Sequence, residues 1–291
     1  MTGVLITADA QLESMILVAR EAAKRAAECY AEHLRSGIEV EEKSPGDPVT
    51  RVDRELDAFI SGELRERFPE AGLVGEESVP SGDALAAELA RDDVFFVDPI
   101  DGTREFVAKN GEFAVMIGLA RCGRASAGVV ALPSEGLIFA GRIGQRAFVE
   151  ARDGSRRFAV VSPAARFEEA RMVVSRSHEP ALVGPLRRRL GIGKFIPCGS
   201  VGVKVARLVE GNAELYVHGG HGLSLWDTCA PEAVLGAAGG RLSDLDGRAL
   251  DYRGPTGLTR GLVASNGALH PGVMSALAWA EREVRRVERS S

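Results

Sequence analysis

Cysteine is scarce: 291 residues carry four, Cys29, Cys122, Cys198 and Cys229, all far apart. No Cys-x-x-Cys pair occurs, which argues against a zinc or iron–sulfur site and against a small disulfide-stapled scaffold. A reducing cytoplasm is the expected compartment. Also missing is any Lys/Arg run of the kind that follows a nucleic-acid backbone or an anionic membrane surface, and the formal charge is −5. A small phosphorylated substrate stays open, because a bound metal inverts the local field. No apolar run reaches the length of a membrane span. Val4-Leu5-Ile6 has no basic leader and Asp9 interrupts it, unlike a signal peptide. Internal repeats and low-complexity tracts are absent too. What is present, 45% hydrophobic and 26% charged residues, is the composition of a globular chain with room for one large domain or two ordinary ones.

The most informative stretch is Val97-Asp98-Pro99-Ile100-Asp101-Gly102-Thr103. Val94 to Val97 reads as a short buried strand, which puts Asp98 at its carboxyl end. Pro99 fixes its own φ and biases Asp98 toward an extended backbone, so the chain turns and brings Asp101 back toward Asp98. Gly102 permits a close backbone approach. Two carboxylates held together repel unless one is protonated or a cation lies between them, and hard oxygen ligands suit Mg²⁺. A helical turn over Thr103 to Phe106 would offer free N–H groups to an anion beside the metal. The plain alternative is that both acids cap a turn.

Periodicity predicts an amphipathic helix from about Ala8 to Leu34 and a polar loop over Glu41 to Gly46. A second helix carries Leu56, Phe59, Ile60 and Leu64, with Asp53 at its start and Pro69 after its end. An N-cap is the ordinary role for Asp53. Gly72 to Gly75 reads as a strand running into Glu76 and Glu77. Neighbouring strand side chains point to opposite faces, so one of these glutamates would ligate and the other support it.

Phe113–Leu119, Ala125–Leu132, 137–143 and Ala147–Ala151 read as further strands, making the first half helices on a largely antiparallel sheet. After a linker near Ser162-Pro163-Ala164, strands and helices alternate, the pattern of an α/β layer. The expected class is α/β: an α+β domain over 1–155 holding most of the candidate metal ligands, and an α/β domain over 156–291. Three places in the second half carry reactive groups: Ser175-Arg176-Ser177-His178, the turn from Cys198 to Lys204, and Trp226-Asp227-Thr228. A solvated loop, close packing and a helix cap are their respective plain alternatives.

Taken together, Asp53, Glu76-Glu77, the Val97–Thr103 septet and Trp226-Asp227 resemble the lithium-sensitive, magnesium-dependent phosphatases typified by inositol monophosphatase, in order and in spacing. The resemblance implies a layered αβαβα sugar-phosphatase-like fold and two or three Mg²⁺ ions. Their ligands would be Glu76, Asp98, the Ile100 carbonyl, Asp101 and Asp227, with Thr103 and Asp53 orienting the attacking water. Within the family, Arg104-Glu105-Phe106 with Asn110-Gly111-Glu112-Phe113, Ser175–His178 and Trp226-Asp227-Thr228-Cys229-Ala230-Pro231-Glu232 look like 3′(2′),5′-bisphosphate nucleotidases. That match implies substrate contacts from Gly102, Thr103, Ser175, His178, Ser200, Lys204 and Asp227, and release of the 3′-phosphate of adenosine 3′,5′-bisphosphate in sulfur metabolism. The short segment between Glu77 and Asp98 is like that of bacterial members. Inositol monophosphate is the chief rival substrate, fructose 1,6-bisphosphate a third, and a catalytically silent nucleotide- or metal-binding regulator the alternative from another class. The expected partner is a small phosphorylated nucleotide, with no nucleic-acid polymer and no membrane; a homodimer is left open.

Overall fold

The computed structural model describes residues 8–288 except 46, 177–179, 221 and 259, with backbone alone at 8, 9, 285, 287 and 288. Helix α1 (Ala8–Ser36) is followed by a hairpin of β1 (Val40–Ser44) and β2 (Asp47–Thr50), then by α2 (Arg51–Arg67). Next come β3 (Gly72–Gly75), a 3₁₀ turn (Glu76–Ser78), α3 (Gly82–Leu89), β4 (Asp93–Asp101) and α4 (Thr103–Val107). Strands β5 (Ala114–Arg121), β6 (Arg124–Leu132), β7 (Leu137–Arg142), β8 (Phe148–Ala151) and β9 (Arg156–Phe158) complete a seven-stranded sheet in the order β3-β4-β5-β6-β7-β8-β9. Only β3 and β4 pair in parallel; the others are antiparallel.

The second half contains β10 (Arg171–Ser175), α5 (Val183–Leu190), β11 (Lys194–Cys198), α6 (Val201–Val209) and β12 (Leu215–His218). After β13 (Leu223–Ser224) come α7 (Trp226–Ala237), β14 (Arg241–Ser243), β15 (Gly257–Leu258), β16 (Leu262–Ser265) and α8 (His270–Glu288). Five of these strands form a mixed sheet ordered β11-β10-β12-β16-β14, in which β10 pairs in parallel with β11 and β12.

The sheets stack with helices in five layers: α1 and α2, the first sheet, α6 and α7, the second sheet, then α5 and α8. Strand alternation builds the layering. In β5, Val115, Ile117 and Leu119 join the core beneath α1 and α2, whereas Ala114, Met116 and Ala120 face the middle layer. Gly118 and Gly128 let α7 lie close on the first sheet: a Cβ at either would stand 2.5 or 2.4 Å from the Ala230 backbone. A helix of the second half is thereby seated on the sheet that carries Asp98, and its first turn carries Asp227. The fold class is α/β as the sequence implied.

Three local expectations change. Glu41 to Ser44 is a paired strand rather than a loop, its register with Asp47–Thr50 shifting after Glu42. Helix α2 begins at Arg51 with Thr50 as its N-cap, and Asp53 takes the third helical position of a capping box. The two glutamates after β3 lie in a 3₁₀ turn, where strand alternation does not apply.

His270, at the start of α8, is 1% exposed and held between Ser243 Oγ (3.0 Å from Nε2) and Ser265 Oγ (2.9 Å from Nδ1). Ser243 donates its own proton to the Asp244 carbonyl, so Nε2–H donates to Ser243 and Nδ1 accepts from Ser265, a neutral imidazole. Burial, then Arg241, push its pKa down to about 4. The folded state thus binds fewer protons than the unfolded chain between about pH 4 and 6.5, and stability is lost as pH falls through that window. Urea titrations across it are expected to show a shallower acid loss for His270→Gln than for the wild type; parallel curves would remove His270 as the cause.

Candidate active site

Most of the candidate residues come from five chain segments that meet at one cleft, with Asp53 and Glu77 outside its lining. Asp53 enters from α2, Glu76 and Glu77 from the turn after β3, Asp98 to Thr103 from the end of β4 and the start of α4, Ser200 and Lys204 from α6, and Asp227 from α7. Strand β4 runs on to Asp101, with its pairing to β5 interrupted between Asp98 and Asp101. The interruption lets both carboxylates turn inward. The cleft measures 750 Å³ and includes Ser175, Tyr216 and Trp226 in its wall.

Carboxylate oxygens of Asp98, Asp101 and Asp227 lie within 4.8 Å of one another. Asp98 is 1% exposed and its Oδ1 is buried with no hydrogen-bond partner. Burial, then Glu76, Asp101 and Asp227, push the Asp98 carboxyl well above the usual carboxylate range; burial, Asp101 and Glu76 do the same for Asp227. A set of hard oxygen donors crowded this way is at ease only when protonated or when a cation lies among them. The residues present therefore fit a divalent metal, and the orphaned Asp98 oxygen is the direct sign of it.

Asp101 is better served. Its Oδ2 accepts the Ser200 hydroxyl and the Gly202 N–H at 2.5 Å, and its Oδ1 accepts the Val201 N–H at 3.1 Å. Burial raises its pKa, and these donors hold it back. The small-residue turn into α6 does grip an anion, and that anion is Asp101. Ser200 also caps α6 by accepting the Val203 N–H at 3.0 Å, so its hydroxyl is engaged within the protein. Asp227 Oδ2 accepts the Ser224 N–H at 2.5 Å.

Thr103 Oγ1 lies 2.8 Å from Asp53 Oδ1 and 3.1 Å from the Ile100 carbonyl oxygen. The other Asp53 oxygen accepts the Thr50 N–H at 2.8 Å and the Thr50 hydroxyl at 2.5 Å. Asp53 is thus locked by the capping box while its free oxygen orients Thr103. Gly102, at φ +95°, makes the left-handed corner between β4 and α4.

Glu76 and Glu77 meet the same cation, Lys43 from β1: Nζ lies 2.9 Å from Glu76 Oε1 and also contacts Glu77 Oε1. Burial raises the Glu77 carboxyl to about 7, with Lys43 opposing. Lys43 escaped sequence reading, although it is the lone cation between Arg35 and Arg51, among acids. Lys204 is buried with Nζ 5.0 Å from the Tyr216 ring centroid; burial lowers its pKa and Asp101 opposes that. Ser175 and Gly102 line the cleft; His178 lies outside the described residues.

A family model described as the inositol monophosphatase family matches residues 11–282. The chain is 30% identical to mouse 3′(2′),5′-bisphosphate nucleotidase 1 over 243 residues, covering 73% of this chain and 76% of that one. It is 32% identical over 223 residues to the 3′(2′),5′-bisphosphate nucleotidase CysQ of Escherichia coli K12, covering 74% and 83%. Among solved structures it superposes on the extragenic suppressor protein suhB of Bartonella henselae with a TM-score of 0.76 at 25% identity, over 92% and 98%. Among the described residues no helix is long and apolar enough to cross a membrane. With nearly the whole chain matched and the acidic cluster set in the cleft, the protein belongs to the inositol monophosphatase family.

Proposed function

We propose that this chain is a Mg²⁺-dependent phosphatase that hydrolyses the 3′-phosphate of adenosine 3′,5′-bisphosphate to AMP and phosphate. The observation that carries the chemistry is the meeting of three carboxylates, Asp98, Asp101 and Asp227, within 4.8 Å, one with an unpartnered oxygen. In this reading Glu76, Asp98, the Ile100 carbonyl, Asp101 and Asp227 hold two or three Mg²⁺ ions. When bound, the metal supplies Lewis-acid stabilisation of the phosphoryl group and acidifies a water. The segment 1–155 provides most of these ligands, and 156–291 provides Asp227 and the substrate side of the cleft.

The chain's own groups orient the attack. Thr103 has one hydroxyl proton, committed to the Asp53 carboxylate 2.8 Å away, so its lone pairs remain to accept a hydrogen bond from the incoming water. Lys204, in the wall with Ser175 and Gly102, supplies positive charge to the substrate's phosphates. Glu77 and Lys43 keep Glu76 in place from outside.

The nucleotide rather than a cyclitol is favoured by the likeness of Arg104-Glu105-Phe106, Asn110-Gly111-Glu112-Phe113, Ser175–His178 and the Trp226–Glu232 stretch to bisphosphate nucleotidases, and by relatives named as such. The family name keeps inositol monophosphate as the second reading. Phosphate release at matched substrate concentration with Mg²⁺ distinguishes them. We expect the nucleotide to lead in kcat/KM by about tenfold or more, ~1.4 kcal/mol in transition-state binding, and chelation by EDTA to stop both reactions. Faster turnover of the inositol ester, or activity that survives EDTA, would overturn the respective half of the reading.

A further inference from the structure

The turn from Cys198 to Gly202 is held from two sides by carboxylates of the first half. On one side Asp101 takes the Ser200 hydroxyl and the amides of Val201 and Gly202. On the other, Glu112, in the connection between α4 and β5, accepts the Gly199 N–H at 2.6 Å through Oε2. Glu112 also makes a two-point ion pair with Arg176, whose Nε lies 3.1 Å from Oε2, while Arg176 Nη2 donates to the Pro197 carbonyl at 3.1 Å. Between the two anchors Ser200 has φ +44°, a left-handed conformation that a non-glycine residue rarely adopts and that persists only where the surroundings enforce it. The turn has no slack toward α4 either, since a Cβ at Gly199 would stand 2.2 Å from Glu105 Cγ.

We propose that Glu112 is a positioning residue for the metal-binding carboxylates. By accepting the Gly199 N–H it sets Ser200 and the first amides of α6 against Asp101, and so fixes the direction in which Asp101 presents its oxygens to the cleft. The route is through Gly199, because that amide adjoins Ser200, whereas Arg176 reaches the turn's peptide only from its carbonyl side. The inference rests on the reading of Asp101 as a metal ligand.

Mn²⁺ binding by calorimetry on the full chain, with kcat and KM measured in parallel, tests it. Glu112→Gln keeps an acceptor at the right reach without the charge; Glu112→Asp keeps the charge on a shorter arm. Glu112→Asp and Glu112→Ala are expected to weaken Mn²⁺ binding by about tenfold or more, as loss of a partner behind a ligand does, and to lower kcat with little change in KM. Glu112→Gln and Arg176→Ala should bind Mn²⁺ as the wild type does. Should Glu112→Ala fail to fold, the contrast between the Gln and Asp variants still decides. Wild-type Mn²⁺ affinity in Glu112→Asp, or equal losses in the Gln or Arg176 variants, would overturn the role of Glu112. A wild type that binds no Mn²⁺ would instead refute the metal reading, and the inference with it.

Discussion

Asp98→Asn is expected to abolish turnover while the fold survives. The amide is nearly isosteric with the carboxylate, so packing around this 1%-exposed side chain is preserved. What disappears is one anionic ligand among four acids, at the point where Oδ1 has no other partner. A loss of about a thousandfold or more in kcat/KM, ~4 kcal/mol of transition-state stabilisation, is expected. Stability should move the other way. Burial, Glu76, Asp101 and Asp227 raise the Asp98 carboxyl well above its ordinary value, so without metal the folded state holds protons more tightly than the unfolded chain, and stability falls as pH rises above the ordinary carboxylate range. Removing one of the crowded charges relieves that cost. In EDTA near neutral pH the variant should melt at or above the wild type, and the rise in melting temperature on adding Mg²⁺ should shrink. Undiminished Mg²⁺-dependent phosphate release from this variant would contradict the assignment of Asp98 as a ligand.

Thr103→Ala should be the next most damaging change. Its hydroxyl lies in the cleft lining, 2.8 Å from the Asp53 carboxylate that fixes its proton. Losing water orientation of this kind costs about a hundredfold to a thousandfold in kcat, and Thr103→Ser should restore most of it because the hydroxyl returns. Asp53→Asn should lose a similar amount, together with ~1 kcal/mol of stability from the broken capping box. If the two residues act as one unit, the double variant Asp53→Asn/Thr103→Ala is no slower than the worse single variant. Fully additive losses in kcat would mean that Thr103 and Asp53 act separately. Urea denaturation separates the stability cost from the catalytic one.

How much of this was legible in sequence depends on the range over which each feature is decided. The strand into Asp98 and the helical turn from Thr103 follow from side-chain type and backbone restriction over a few residues, and both appear, although the strand runs on to Asp101. The Glu76-Glu77 pair misled because alternation was assumed to continue past Gly75, whereas a 3₁₀ turn begins there and both carboxylates reach Lys43. Asp53 looked like an N-cap because Thr50 and Asp53 share the capping chemistry, and only the hydrogen bonds assign which of them does what. Glu41–Ser44 looked like a loop because its polar residues bury nothing; all five residues of β1 are exposed, and cross-strand pairing with β2 holds them together with the ion pairs of Lys43 to Glu76 and Glu77 and of Glu41 to Arg54.

The chain by itself determined which acids are available and which of them sit at strand ends and helix starts, because φ restriction, capping and apolar periodicity act between near neighbours. Only the folded layers decided that Asp98, Asp101 and Asp227 meet, that Asp101 lies at the mouth of α6, and that Lys43 answers both glutamates. Such meetings depend on how closely α7 seats on Gly118 and Gly128 and on how two sheets stack. Those are sums over many packed side chains, and no short stretch of sequence contains them.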